Sequence, residues 1–445
     1  MIFPFQMEAQ EHRAAMPEAC DVVVIGAGII GVMAAWELAK TGLKVVVLEK
    51  GRVAGEQSSR NWGWIRNQGR DPAELPIMIE AAAMWRQMAK DIPEDIGLKQ
   101  TGVVYLADKV EGIERFENWL PYAKDHGLET KVLTSKETAD LIPNASVTWA
   151  GALWTASDMR AEPWVALPAL ARAAVRDGVT IIESCAVRAL DISGGVVTGV
   201  ETELGRIKAP EVVLAGGAWS QLFLRKHGLS IPQLSVRATV AATDPLPEVF
   251  AGGAADNRLA FRRRADGGYT LAPEGFQELY VGPDAFRALA NYAKPLLQDP
   301  CGTRLLPSAP QGFPDAWGTK RQWAADEQSP FERMRILNPA ANASKVAKLA
   351  RDFADTFPQL GGVKIKASWA GMIDTMPDVV PIVDRAPLFG LTVATGMCGH
   401  GFGIGPAFGK LIRQIVRGET LSHDMHRFRY GRFTDGSKLD LHPNL

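Results

Sequence analysis

The sequence predicts an α/β (α+β) fold: a Rossmann-like parallel sheet assembled from separated segments, with a second domain interleaved between them. Three observations predict it. First, an apolar run closed by glycine (21–26) is followed by helical spacing over 28–42 and a second apolar run over 44–50. That is the pattern of a buried parallel strand, a crossover helix and the neighbouring strand, a βαβ unit of about thirty residues. Second, a contiguous doubly wound sheet would continue directly after Lys50, yet the next apolar run ending in glycines begins at Val212. Third, 445 residues exceed one ordinary core and point to two domains.

The remaining elements follow from periodicity. Helices are expected over 74–90, 110–126, 163–177, 345–357 and 405–418, and strands over 102–107, 180–183, 187–192, 196–202, 212–215 and 391–394. Gly194-Gly195 marks a hairpin turn. Residues 236–335, rich in Pro, Gly and Arg, read as strands with long connections. The expected organisation is an N-terminal tail (1–20), a cofactor domain (21–90, 151–235 and 365–420), a substrate domain (91–150 and 236–364) and a C-terminal tail (421–445).

Bulk properties narrow the function classes. Lys and Arg total 49 against 50 Asp and Glu, so nothing points to nucleic acid or another polyanion as partner. Cys20, Cys185, Cys301 and Cys398 are scattered and form no CxxC, which reads as reduced thiols in a cytoplasmic protein. No apolar run approaches the ~20 residues of a membrane span. The start, Met1 to Phe5, is too short an apolar stretch, without a basic beginning, to read as a signal peptide. HExxH, Walker A and GxSxG motifs are missing. His423 and His426 in a C-terminal loop lack the supporting cluster a metal site needs, and no metal is expected.

Four segments carry the chemistry. In Gly26-Ala27-Gly28-Ile29-Ile30-Gly31 the first glycine permits the tight turn, the second admits a pyrophosphate close to the backbone, and the third packs helix on strand. The helix N-terminus offers amides and a positive dipole end to phosphates. Glu49, about twenty residues on, suits ribose hydroxyls and repels a 2′-phosphate. The second segment is Ser58-Ser59-Arg60-Asn61-Trp62-Gly63-Trp64-Ile65-Arg66, with small hydroxyls for phosphate contact and Gly63 for the approach of a flat ring. The third, Ala215-Gly216-Gly217-Ala218-Trp219, follows a buried strand. The fourth holds Gly396, Gly399, Gly401, Gly403 and Gly405 at a strand-to-helix junction, an amide-rich site for negative charge.

These segments, in this order, resemble the FAD-dependent D-amino-acid oxidase superfamily, and within it the sarcosine oxidase and glycine oxidase branch. Asp158 to Pro163 is similar to that branch's D-x-x-x-x-P, and Trp369-Ala370-Gly371 with Thr375-Met376-Pro377-Asp378 is similar to its W-x-G…T-P-D. The resemblance covers about 20–417 and implies a glutathione-reductase-type FAD-binding domain with an antiparallel substrate domain. It implies further that Gly26, Gly28, Ile29, Ile30 and Gly31 hold the pyrophosphate, Glu49 the adenosine ribose, and Lys50 the neighbourhood of the adenine. Ser58, Ser59, Arg60, Asn61, Trp62 and Gly63 would line the pyrophosphate and ribityl chain. Val187 would meet the adenine through its backbone, Ala215, Gly216 and Trp219 would flank the dinucleotide, and Gly399, His400, Gly401, Phe402, Gly403 and Ile404 would face the flavin. Arg66 matches an arginine placed beside the flavin. Two departures stand out. Gly403 occupies the position where sarcosine oxidases carry a substrate-holding lysine, and the W-x-G stretch has no cysteine to attach FAD, so the FAD is expected to be non-covalent.

The implied activity is oxidation of the C–N bond of a small amine or amino acid, D- or N-substituted, by hydride transfer to flavin N5, followed by imine hydrolysis. Oxygen, a quinone or another carrier would take the electrons. Two alternatives stay open: a 2-hydroxy-acid dehydrogenase, and a flavin-bearing assembly protein without turnover. Candidate substrate anchors are Arg66, Arg262, Arg263 and Arg264. The arginine triplet reads equally as a solvated strand end. His400 reads as a base, a flavin neighbour or a structural residue, and Tyr269 and Trp64 as pocket walls or core.

Overall fold

The computed structural model describes residues 3, 10–275, 277–298 and 302–441. The valine-rich runs have no polar side chain to offer water, and they form the middle of a six-stranded sheet. Its order is Ile382–Arg385, Leu391–Thr395, Glu211–Leu214, Val22–Ile25, Val45–Leu48, Thr180–Ile182. Neighbours run parallel except at the edge, where Ile382–Arg385 pairs antiparallel with Leu391–Thr395. Strands distant in sequence therefore meet in one sheet. Helix Ile29–Ala39 is buried over all but its last residue because helix Gly401–Arg417 lies against it. Small residues set that spacing: a Cβ on Gly409 would stand 2.7 Å from the Met33 backbone, and one on Gly405 2.7 Å from the Ile29 side chain.

The larger sheet has ten strands and is mixed, mostly antiparallel. Its spine is Leu234–Thr243, paired antiparallel with Ile365–Thr375 along nearly its whole length. Phe261 and Tyr269 from this sheet pack with Phe353 and Phe357 of and after helix Ala343–Thr356 as a separate core. A small sheet, Val187–Ser193, Val196–Thr202 and Gly205–Lys208, carries the predicted hairpin, with Gly194 and Gly195 at φ 59° and 79°.

The structure differs from the sequence expectation in several places. Gly151–Thr155 and Ile365–Thr375 fall within the segments expected for the cofactor domain but pair in the larger sheet. Strand periodicity marks such segments but does not reveal which sheet they join. The last long helix begins at Gly401 rather than 405, because its first turn is glycine-rich and covered by neighbouring elements. Helix Ser135–Leu141 was not expected. Only Thr138 in it is buried, so it lacks an apolar stripe, and a Thr134–Glu137 capping box starts it. Helices Pro283–Arg287 and Leu289–Gln298 likewise interrupt a stretch read as strands. The described parts of both tails are tied down: Arg13 bridges Ile182, Ala19 bridges Lys208, and buried Arg432 holds Asp378 at 2.8 Å. Cys301 lies outside the described residues.

Candidate functional site

The carboxyl ends of the parallel strands open into a cavity of about 460 Å³ that reaches the inner face of the larger sheet. A crevice at that end of an open α/β sheet is where such folds take ligands. Gly26, Gly28, Ile29 and Ile30 form one wall. Gly26 has φ +104°, and a Cβ there would stand 2.6 Å from the Ala215 carbonyl oxygen. Gly31 lies behind the wall, where a Cβ would overlap the Gly26 carbonyl oxygen. The Ile29 amide donates to Ser58 Oγ at 3.0 Å. Glu49 ends the second strand and accepts from the Ala27 amide at 2.9 Å and the Gly51 amide at 2.7 Å, which fixes it against the glycine turn. Burial raises its pKa.

Lys50 lines the same end, with Nζ 2.6 Å from Glu56 Oε1 and 4.4 Å from the Trp219 ring centroid. Trp219 Nε1 also donates to Glu56, at 3.1 Å. Val187, Ala215 and Gly216 complete this region. In the second segment Ser58, Arg60, Asn61 and Trp62 line the cavity, whereas Ser59 and Gly63 lie behind it. Arg60 donates to the Ala370 carbonyl at 2.9 Å and Asn338 Oδ1 at 2.6 Å, so it ties three segments together. Gly399, His400, Gly401 and Phe402 line the opposite wall. Gly403 and Ile404 fall one turn into the helix and do not. The Gly403 carbonyl accepts from Trp85 Nε1 at 2.9 Å, and a Cβ there would stand 3.3 Å from the Trp64 carbonyl oxygen. The position where the resembling enzymes carry lysine is here packed against the strand Trp64–Ile65.

Charge gathers where the larger sheet meets the cavity. Arg66 and Arg70 both line it. Arg66 donates to the Gln68 carbonyl and lies 5.3 Å over the Tyr105 ring. Arg70 Nε donates to the Arg66 carbonyl at 3.2 Å, while its Nη1 is buried without a hydrogen-bond partner among the described residues. Burial and then Arg66 push its pKa down to about 10. His400 Nδ1 lies 2.9 Å from Glu74 Oε2. Burial, with Arg70 adding, pushes His400 down to about 4, so the imidazole is neutral near pH 7. Burial works to raise the Glu74 pKa, but His400, Arg70 and Arg66 outweigh it and the net shift is downward. Nδ1–H therefore donates to the Glu74 carboxylate. The loop carrying both arginines is held by Asp158, which accepts from the Asn67 amide at 2.8 Å and the Gln68 amide at 3.2 Å.

Arg262 is placed elsewhere. It is buried and pairs both terminal guanidinium nitrogens with Glu162 at 3.0 Å, so its charge is committed, and it does not line the cavity. Arg263 donates to the Leu246 carbonyl at 2.7 Å, Arg264 binds Asp266 at 3.0 Å, and the Tyr269 hydroxyl accepts from the Val249 amide at 2.8 Å. These are core and turn contacts. Trp64 lines the cavity. His423 pairs with Glu80 at 2.7 Å, and among the described residues no group of three or more His, Cys, Asp or Glu is disposed to hold a metal. Sequence reasoning missed Arg70, Glu74, Tyr105 and Glu274. Arg66, Arg70 and Glu74 are spaced by four, a signal that was available, while Tyr105 and Glu274 come from strands and turns that only tertiary pairing brings here.

The lining fits FAD: a glycine turn without room for side chains, a carboxylate fixed at the second strand's end, and one cavity running from there to a helix N-terminus. No cysteine stands in the W-x-G stretch, so acid or detergent denaturation is expected to release the flavin into the supernatant. A protein pellet that stays yellow after washing would contradict this.

The comparisons agree with this geometry. Glycine oxidase of Geobacillus kaustophilus is 24% identical, over 94% of this chain and 98% of that protein. Human mitochondrial sarcosine dehydrogenase is 28% identical, but the match spans 53% of this chain and only 27% of that much longer protein. Among solved structures, L-amino acid deaminase from Proteus myxofaciens, in complex with anthranilate, superposes with TM-score 0.90 at 29% identity, covering 96% of each chain. Residues 21–415, which carry both large sheets and every wall of the cavity, match the DAO model described as FAD dependent oxidoreductase, and the chain belongs to that family.

Proposed function

We propose that this oxidoreductase oxidises the C–N bond of a small amine or amino acid to an imine, which water then hydrolyses. The observation that carries the reading is the pair Arg66 and Arg70, set in the cavity that the glycine turn over 26–30 also lines. A guanidinium fork matches a carboxylate, and Arg70 keeps a buried nitrogen free of hydrogen bonds within the described residues. Bound FAD supplies the two-electron acceptor. The chain's own residues bind, orient and exclude water. Trp62, Trp64 and Tyr105 provide aromatic walls. Glu74 balances Arg70 from behind, at 3.9 Å, and orients the His400 ring, while burial and Arg70 keep that ring neutral, so His400 adds no charge to compete for the carboxylate. The names of the similar proteins support an amino-acid substrate.

Either oxygen or a carrier such as a quinone serves as electron acceptor in this reading. A cytoplasmic location accords with Cys20, Cys185 and Cys398 standing as free thiols. Among the described residues no helix is long and apolar enough to cross a membrane.

The test is anaerobic bleaching of the flavin spectrum by a panel of amino acids, N-alkyl amino acids and 2-hydroxy acids. Bleaching by amino acids supports the proposal. Bleaching by hydroxy acids alone replaces it with a 2-hydroxy-acid dehydrogenase, and no bleaching by any of them points to a non-catalytic flavoprotein. Arg66→Ala should lower kcat/KM for the reducing acid by roughly 10- to 150-fold, the worth of about 1.5–3 kcal/mol for a charge-assisted hydrogen bond. Flavin content should not change.

A further inference from the structure

An amine gives up hydride from its α-carbon only when its nitrogen lone pair is free, yet an amino acid arrives at neutral pH as an ammonium ion. Something in the cavity must take that proton. His400 is a poor choice, because burial and Arg70 hold its pKa near 4. Most carboxylates on the walls are already engaged. Glu49 accepts from Ala27 and Gly51, Glu56 from Lys50, Trp219 and Leu337, and Asp374 from Thr395 and Gly396. Glu274 differs. It lines the cavity from the turn after strand Tyr269–Ala272, and its Oε2 is shut off from solvent with no hydrogen-bond partner among the described residues.

We infer that Glu274 is the base that receives the proton of the substrate's ammonium group while Arg66 and Arg70 hold its carboxylate. The inference rests on the amine reading proposed above. In the step an N–H bond breaks, its electron pair stays on nitrogen, and an O–H bond forms on Glu274, which later returns the proton to solvent. The charged and titratable groups around it are Arg66 from the loop after Trp64–Ile65, Tyr105 from strand Val103–Ala107, and Asp256 from the turn after Gly253–Ala255. Burial raises Glu274 to about 7, with Asp256 adding and Arg66 opposing. A base poised near the working pH is the efficient kind. Because the pKa is raised, the reactive carboxylate is present above about pH 7 and is lost as pH falls through it.

The test uses the FAD-loaded enzyme, with glycine, L-alanine, L-phenylalanine, L-proline and sarcosine as reductants without oxygen. Wild-type kcat/KM should rise with pH through a limb near 7. Glu274→Gln should lose that limb and fall by roughly 10²- to 10⁴-fold at neutral pH. It should approach wild type near pH 10, where the amine arrives unprotonated. Glu274→Asp, which keeps the carboxylate, should keep the limb and shows that the site is folded. A binding measurement stands apart from turnover. 2-Aminoisobutyrate has no α-hydrogen to give, and Glu274→Gln should weaken it at least about tenfold while leaving isobutyrate, which lacks the nitrogen, unchanged. Identical pH profiles for wild type and Glu274→Gln, or equal losses for both probes, overturn the inference. If no member of the panel reduces the wild-type flavin, the amine reading falls and this inference with it. Reduction with an unchanged profile removes the inference alone.

Discussion

Glu162→Ala is expected to destabilise the protein by about 3–5 kcal/mol, the usual result of removing one partner from a buried ionic group. Glu162 precedes helix Pro163–Arg176 and is 2% exposed. It receives both guanidinium nitrogens of Arg262 at 3.0 Å, Arg160 Nη1 at 3.2 Å and the Ala265 amide at 2.8 Å. Arg262 stands on strand Ala260–Arg263 of the larger sheet, so this carboxylate ties that sheet to a helix whose buried face belongs to the other core. Without it, two buried guanidinium groups face each other uncompensated. Glu162→Gln keeps the shape but not the charge, and should cost nearly as much. As a control, Lys348→Ala breaks an exposed pair with Asp352 and should stay within about 0.5 kcal/mol. Thermal and urea unfolding of the three variants decide it. A Glu162→Ala protein that unfolds with the wild type would show that these arginines reach water.

Gly31→Ala should weaken FAD binding by roughly 5- to 150-fold, from an overpacking cost of about 1–3 kcal/mol. The added methyl would overlap the Gly26 carbonyl oxygen, with the Val24 side chain 3.3 Å away. Helix Ile29–Ala39 can yield only by lifting from the first strand, and that moves the Gly28 and Ile29 backbone that walls the cavity. Gly42→Ala is the contrast. Nothing lies within 4 Å of a Cβ there, although its φ of +85° strains any side chain, so its effect belongs to stability and should leave FAD affinity near wild type. Flavin titration of the apoprotein measures both. Equal FAD affinity for Gly31→Ala and wild type would mean that helix and strand need not touch for the cradle to form.

The parts legible in the sequence were those whose cause is local. A valine run that cannot face water, a glycine turn that leaves no room for a Cβ, and a carboxylate at the next strand's end lie within thirty residues or so of one another. The segments flanking Asn61, Gly216 and Gly401 were legible for the same reason, since each carries its glycines or small polar residues in one stretch. The loop between Trp64 and Glu74 was half legible. Arg66 stood out beside two tryptophans, but Arg70 has meaning only once burial has removed its solvent and Glu74 has been given to His400.

What the sequence determined by itself was the cradle and the class of ligand it takes, because backbone conformation and helix polarity follow from neighbouring residues. Tertiary structure alone decided which charges face the cavity. Arg262 and Arg66 are alike as sequence, an arginine in or just after a β-strand. Long-range packing set Glu162 against one and left the other over Tyr105 in the cavity that Glu274 also lines. An ionic side chain is defined by the partner it meets in space, and chain order does not carry that information.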